Sequence, residues 1–172
     1  STLLRALTQA DILVEDKLFA TLDTTTRKFV LPNKQSILLI DTVGFIRMIP
    51  HTLVAAFRST LEEAIHTDIL LHLIDVSHPM AFSQAEETLA VLKELGAEDK
   101  PMITVLNKID LCPNPSVLAK FRILYQKTVP ICAETGEGFE LLLDSMMREI
   151  ALLRKTVRVK IPQSHYALVS EL

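Results

Sequence analysis

Met102-Ile103-Thr104-Val105-Leu106-Asn107-Lys108-Ile109-Asp110 is an apolar run that ends abruptly in a polar tetrapeptide. Upstream, Ile37-Leu38-Leu39-Ile40 runs in the same way into Asp41-Thr42-Val43-Gly44. Both runs have the length of a buried strand and are too short for a helix. Each polar motif therefore begins where a strand would end. A third apolar run, residues 68–76, reads as a strand buried on both faces. A fourth, 128–132, ends in Cys132-Ala133-Glu134-Thr135-Gly136.

Helical periodicity fills the intervals. Residues 80–95 place Phe82, Ala85, Leu89 and Leu92 on one face, and Gly96 suits a C-terminal stop. Residues 115–125 carry Pro115 in the first turn. Residues 138–154 carry the stripe Leu142, Met146, Ile150 and Leu153. Further upstream, residues 52–65 share the stripe Leu53, Ala56, Phe57, Leu61 and Ala64, with Thr52 as N-cap. Residues 27–31 and 36–40 form a hairpin across Pro32-Asn33. Residues 1–10 begin as a helix, and 11–26 are a Thr-rich loop. Val157, Val159 and Ile161 alternate with Arg158 and Lys160, which opens a new element. The expected division is a domain over 1–155 and the start of a second domain, or a tail, over 156–172.

Strands alternating with helices imply an α/β fold in three layers around a mostly parallel sheet. Ligands of such sheets bind beyond the carboxyl ends of the strands. Asp41, Asn107 and Cys132-Ala133 all fall there.

Composition narrows the class. Half of the chain is apolar (49%), so it can build a sizeable core. A net charge of −3 argues against a generally basic nucleic-acid binder. Cys112 and Cys132 lack metal-site spacing and read as reduced thiols. No apolar run approaches the length of a membrane span, and no signal peptide is evident. Localisation is expected to be cytoplasmic.

The polar motifs carry specific chemistry. A carboxylate at Asp110 accepts two hydrogen bonds from the ring N–H and exocyclic amine of guanine. Adenine offers no donors in that arrangement and would leave the carboxylate desolvated and unpaired. Lys108 can lay its aliphatic stem along a purine face. Asn107 can bridge neighbouring loops through its amide. The Ala133 N–H suits a guanine carbonyl oxygen, although the same stretch is also an ordinary strand-to-helix turn. Asp41 suits Mg²⁺ held through water. Gly44, without a Cβ, lets its N–H approach a terminal phosphate. A threonine among Thr21, Thr24, Thr25 and Thr26 could complete the metal shell, and spacing does not choose among them. Asp75, with Lys108 as partner, also raises a second reading, a phospho-acceptor domain. That reading wants an early acidic pair, which the start of the chain lacks.

Phe19-Ala20-Thr21-Leu22-Asp23, Thr25-Thr26-Arg27, Asp41 to Arg47, Pro50 to Leu61 and Asn107 to Asp110 together resemble the HflX family of GTPases. The resemblance spans Ser1 to about Leu153. It implies a P-loop-type G domain that binds GTP with Mg²⁺ and hydrolyses it. It also implies association with the large ribosomal subunit in ribosome splitting or rescue. It assigns Thr21 to the metal and makes Phe19, Ala20, Thr21, Leu22 and Asp23 nucleotide contacts. Asp41, Thr42, Val43, Gly44, Asn107, Lys108, Ile109, Asp110, Cys132, Ala133 and Glu134 complete the expected GTP site. Ser1 corresponds to the metal-ligating serine of the phosphate loop. The glycines and lysine preceding that serine in the family are not in this chain. The chain is therefore expected to be a fragment whose first strand and phosphate loop are missing, with a gap inside the sheet. A non-hydrolysing remnant that docks on ribosomes or proteins is the competing expectation. Phe45 stands where many switch GTPases carry a glutamine that orients water. Slow intrinsic turnover, accelerated by ribosomes, is expected.

Overall fold

The computed structural model describes residues 2–8, 25–42, 64–112 and 114–154. Helix α1 (Thr2–Thr8) buries Leu3 and Leu4. Strands β1 (Thr25–Val30) and β2 (Ser36–Asp41) pair antiparallel, with Thr25 opposite Asp41 and Val30 opposite Ser36. Their turn closes as the Pro32-Asn33 sequence predicts. The Leu31 N–H donates to the Gln35 carbonyl at 2.8 Å, and Asn33 Oδ1 accepts from the Gln35 N–H at 3.1 Å.

The second half is a parallel sheet. Strands β3 (Leu70–Asp75), β4 (Met102–Asn107) and β5 (Thr128–Pro130) lie in the order β3-β4-β5. Helices α2 (Ala81–Glu94), α3 (Pro115–Leu124) and α4 (Phe139–Leu153) follow them in turn. Asn114 caps α3, its Oδ1 accepting from the Ser116 N–H at 2.9 Å.

The period of two sorts β4 between two cores. Ile103 and Val105 face one cluster with Val129, Ile131, Leu142, Met146 and Leu3. Leu106 faces the other with Ile74, Ala81, Ala85 and Phe121. Helices thus cover both faces, which is why the β4 sequence reads as continuously apolar. Each fully buried aliphatic side chain of this kind stabilises the fold by about 1.5–3 kcal/mol.

The strands form two sheets, not one. Among the described residues the hairpin and the parallel sheet share no backbone ladder, yet Ile37 and Leu39 of β2 and Leu71 of β3 pack on the same cluster. The expectation of a third strand buried on both faces needs correcting, because Leu73 is 42% exposed. Along β3, His72 and Ile74 are buried on one face, while Leu73 leaves the other open at that level.

The stripe of α4 also departs from expectation. Leu142 and Met146 are buried, but the third buried position is Glu149, while Leu153 is exposed. The Glu149 carboxylate is held by Lys127 Nζ at 2.7 Å, which offsets its desolvation. Of the expected helix over 52–65 only its last residues are described, and the strand over 157–161 and the boundary at 155 lie outside the described residues.

Candidate functional site

Parallel pairing brings the ends of three strands to one edge. Asp75 stands opposite Asn107 in register, and Leu106 stands opposite Pro130. The chain leaves each strand there, and short hydrogen bonds tie the exits together. The Asn107 carbonyl accepts from the Val76 N–H at 3.1 Å, which joins the β3 exit to the β4 exit. Asn107 Oδ1 accepts from the Ala133 N–H at 3.0 Å, which joins the β4 exit to the β5 exit. The Ile131 carbonyl accepts from the Ile109 N–H at 3.3 Å and closes the same seam.

Lys108 adopts the left-handed conformation, with φ of 62°. A non-glycine residue there costs about 1–2 kcal/mol, so its surroundings must hold it. A single 3₁₀ turn, Ile109–Leu111, follows and leaves Asp110 exposed. Among the described residues the Asp110 carboxylate has no hydrogen bond or ion pair.

Lys108 Nζ lies 2.7 Å from Asp75 Oδ2. The other carboxylate oxygen, Oδ1, accepts from the Ser77 N–H at 3.0 Å and from Ser77 Oγ at 2.5 Å. Partial burial alone would raise the Asp75 pKa. The bonds from Lys108 and Ser77, with the Lys108 charge, outweigh it and hold the carboxyl below its ordinary value.

The β5 exit is a compact loop. The Cys132 N–H donates to the Glu137 carbonyl at 3.0 Å, and the Gly136 N–H donates to the Cys132 carbonyl at 2.9 Å. Cys132 and Ala133 are buried and Glu134 is exposed. Gly138 has φ of 80°, and a Cβ there would meet the Pro130 carbonyl oxygen at 2.2 Å. Only glycine lets the chain pass this close to β5 before entering α4.

Asn107, Lys108, Ile109, Asp110, Cys132, Ala133 and Glu134 are thus held in two loops that touch. The bridging role read for Asn107 is visible as its bond to Ala133. That bond also engages the Ala133 N–H, so a guanine oxygen would have to share or replace Asn107 Oδ1. Asp41 and Thr42 lie at the carboxyl end of β2, where Asp41 pairs with Thr25 in register. Ser1, Phe19 to Asp23, Val43 and Gly44 lie outside the described residues.

Among the described residues no group of three or more His, Cys, Asp or Glu is placed to hold a metal. The acidic pocket wanted by the phospho-acceptor reading is therefore not found among them, although its Asp75–Lys108 pair is. Asp41 contributes a single hard oxygen donor at a strand end. That chemistry fits Mg²⁺, which takes one or two protein ligands and fills its shell with water and phosphate.

Sequence reasoning missed two features. The sequence reading treats Asp75 only as a phosphate acceptor, although two apolar runs each ending in a polar residue signal that Asp75 and Asn107 sit side by side. The need for Gly138 carried no local signal, since it arises from the approach of Pro130.

Comparison with known proteins agrees with this geometry. Residues 1–108 match the family described as 50S ribosome-binding GTPase. The chain is 51% identical over 172 residues to GTPase HflX of Chlamydia pneumoniae, covering all of this chain and 36% of that protein. It is 45% identical over 174 residues to GTPase HflX of Akkermansia muciniphila, covering 99% of this chain and 40% of that protein. The chain thus spans little more than a third of the curated relatives it matches. Among solved structures, SsGBP in complex with GDP superposes with a TM-score of 0.71 at 29% identity, over 89% of this chain and 46% of that one. An Era variant of Aquifex aeolicus, bound to GDP and aluminium fluoride, shares the fold, with a TM-score of 0.70 at 20% identity over 94% and 55% of the two chains.

Proposed function

The chain belongs to the 50S ribosome-binding GTPases, within them to the HflX family, and from that premise we propose that it is the base-reading and switch portion of a protein that binds and hydrolyses GTP. The observation that carries the reading is the juxtaposition of the two loops after β4 and β5. The Asn107–Ala133 bond fixes them together, and Asp110 projects from them with its carboxylate exposed.

In this reading Asp110 receives the two guanine donors, and the Lys108 stem lies against the purine. The backbone of Cys132, Ala133 and Glu134 faces the base carbonyl. Asp41 and Thr42, with Val43 and Gly44, attend the terminal phosphate. Phe19, Ala20, Thr21, Leu22 and Asp23 line the nucleotide, with Thr21 and Ser1 beside the metal. Mg²⁺, held by Ser1, Thr21 and (through water) Asp41, would supply neutralisation of phosphate charge. Residues 1–155 then form the G domain and 156–172 lead out of it.

Phe45 has no group to accept a proton. Positioning and electrostatics therefore carry hydrolysis, and the large ribosomal subunit accelerates it. The protein acts in the cytoplasm, in ribosome splitting or rescue. The family description and the resemblance support that partner.

Titration of the full-length protein with guanine and adenine nucleotides tests the base reader. Asp110→Asn should weaken GTP binding by about 10- to 100-fold, the worth of one bond to a charged acceptor, since the amide oxygen still accepts the other, and erase the preference for guanine. An unchanged preference removes Asp110 from the role. Hydrolysis measured with and without large subunits tests the partner, and equal rates refute activation by it.

A further inference from the structure

Asp75, at the end of β3, has no part in the reading above. We infer that Asp75 is a positioning residue for nucleotide binding, which acts by anchoring the Lys108 ammonium so that the lysine stem is held in place for the purine. The inference rests on the guanine-nucleotide reading and adds to it a residue outside the two base-reading loops.

Three observations carry it. First, the ion pair is short, at 2.7 Å, and joins adjacent strand exits whose backbones are already bonded through Val76 and Asn107. Second, the carboxylate cannot turn freely. Ser77 holds Oδ1 from its N–H and its hydroxyl, which leaves Oδ2 aimed at Lys108. Third, the pair is poorly suited to stabilising the fold. The side chains are 49% and 34% exposed, and solvent-exposed pairs of this kind contribute little. A pair with two locked ends and little value to the fold is better explained by what it orients.

A lysine side chain has four rotatable carbons, and a ligand stacked on a free stem must itself order it. With Nζ tied at one end and the backbone fixed at the other, the stem is ordered beforehand. Preorganisation of this kind raises affinity without adding a contact. It should therefore alter affinity for the purine nucleotide and leave the choice between guanine and adenine to Asp110.

The test is a double-mutant cycle in the full-length protein, read as the dissociation constant of a fluorescent GDP. Asp75→Asn keeps the size of the side chain, and Lys108→Met keeps the stem while removing its charge. Each single change should weaken binding about five- to tenfold, and the double variant should bind no more weakly than Lys108→Met alone. Guanine preference should persist in Asp75→Asn. A merely structural Asp75 would give losses that multiply in the double variant, and that result overturns the inference. So does Asp75→Asn with unaltered GDP affinity while Asp110→Asn still weakens it, a result that leaves the base-reading assignment standing. A wild-type protein that binds no guanine nucleotide overturns both. If Asp75→Asn does not fold, Ser77→Ala frees Oδ1 with less disturbance. It should then weaken binding about two- to threefold, again only while Lys108 is present. No change in Ser77→Ala would refute the anchoring role.

Discussion

The parallel sheet and the hairpin are built to different standards of closure. In the parallel sheet, β4 lies between two strands and beneath helices on both faces, and Ile103, Val105 and Leu106 are fully buried. In the hairpin, β2 pairs among the described residues with β1 alone, and Leu38 is 67% exposed on the face away from the shared core. The loops that would read the base leave the first structure, and the Asp41 motif leaves the second. The proposed base-reading loops therefore leave a strand that is closed on both faces. The strand that ends in Asp41 belongs to a two-stranded ribbon, which is marginal alone and here relies on Ile37 and Leu39 packing on the common core.

That contrast can be broken by substitution. The largest effect is expected at Ile103→Ala, in the centre of the parallel sheet. Deleting its side chain should cost about 4 kcal/mol, from lost transfer energy and the cavity left behind. Urea unfolding measures this, and a cost below about 1 kcal/mol would mean that the sheet is not the closed unit described.

Acid sharpens the contrast from another side. His72 of β3 is buried, stands edge-on to Tyr125, and its Nδ1 has no hydrogen-bond partner. Desolvation pushes its pKa from 6.5 down to about 4. The unfolded chain thus binds the proton more readily than the folded one between these values. Stability is fully present above pH 6.5 and is lost as pH falls toward 4, by up to about 3 kcal/mol. His72→Leu should remove that component. Comparing denaturant midpoints of the two proteins across this window isolates it from the carboxylates. Parallel curves would show that His72 accepts a proton without penalty.

The smallest effect is expected at Leu38→Ala. An exposed side chain on the outer face of the hairpin should change stability by less than about 0.5 kcal/mol. A loss near that of Ile103→Ala would mean that this face is covered, and the contrast between the two regions would fail.

Much of the site was legible before any coordinates. Asn107 to Asp110 read as a strand exit because an apolar run of strand length ended there, and the Asn107 amide was expected to bridge loops. The helix after Met80, the turn at Pro32-Asn33 and the stop at Gly96 followed from local chemistry in the same way. The burial of Glu149 is not legible locally, because it depends on Lys127, which is 22 residues away. Leu73 was misjudged because apolar character does not reveal whether both faces of a strand are covered.

Sequence alone therefore determined which segments are strands, which residue types stand at their ends, and the family pattern they spell. Those properties are set by neighbours along the chain, by the period of apolar residues and by the torsional limits of proline and glycine. Tertiary structure decided the rest: that Asn107 takes the Ala133 N–H in particular, and that Gly138 has no room for a Cβ. Each depends on which strand lies beside which, and parallel neighbours are brought together by crossovers dozens of residues long, over which local chemistry exerts no control.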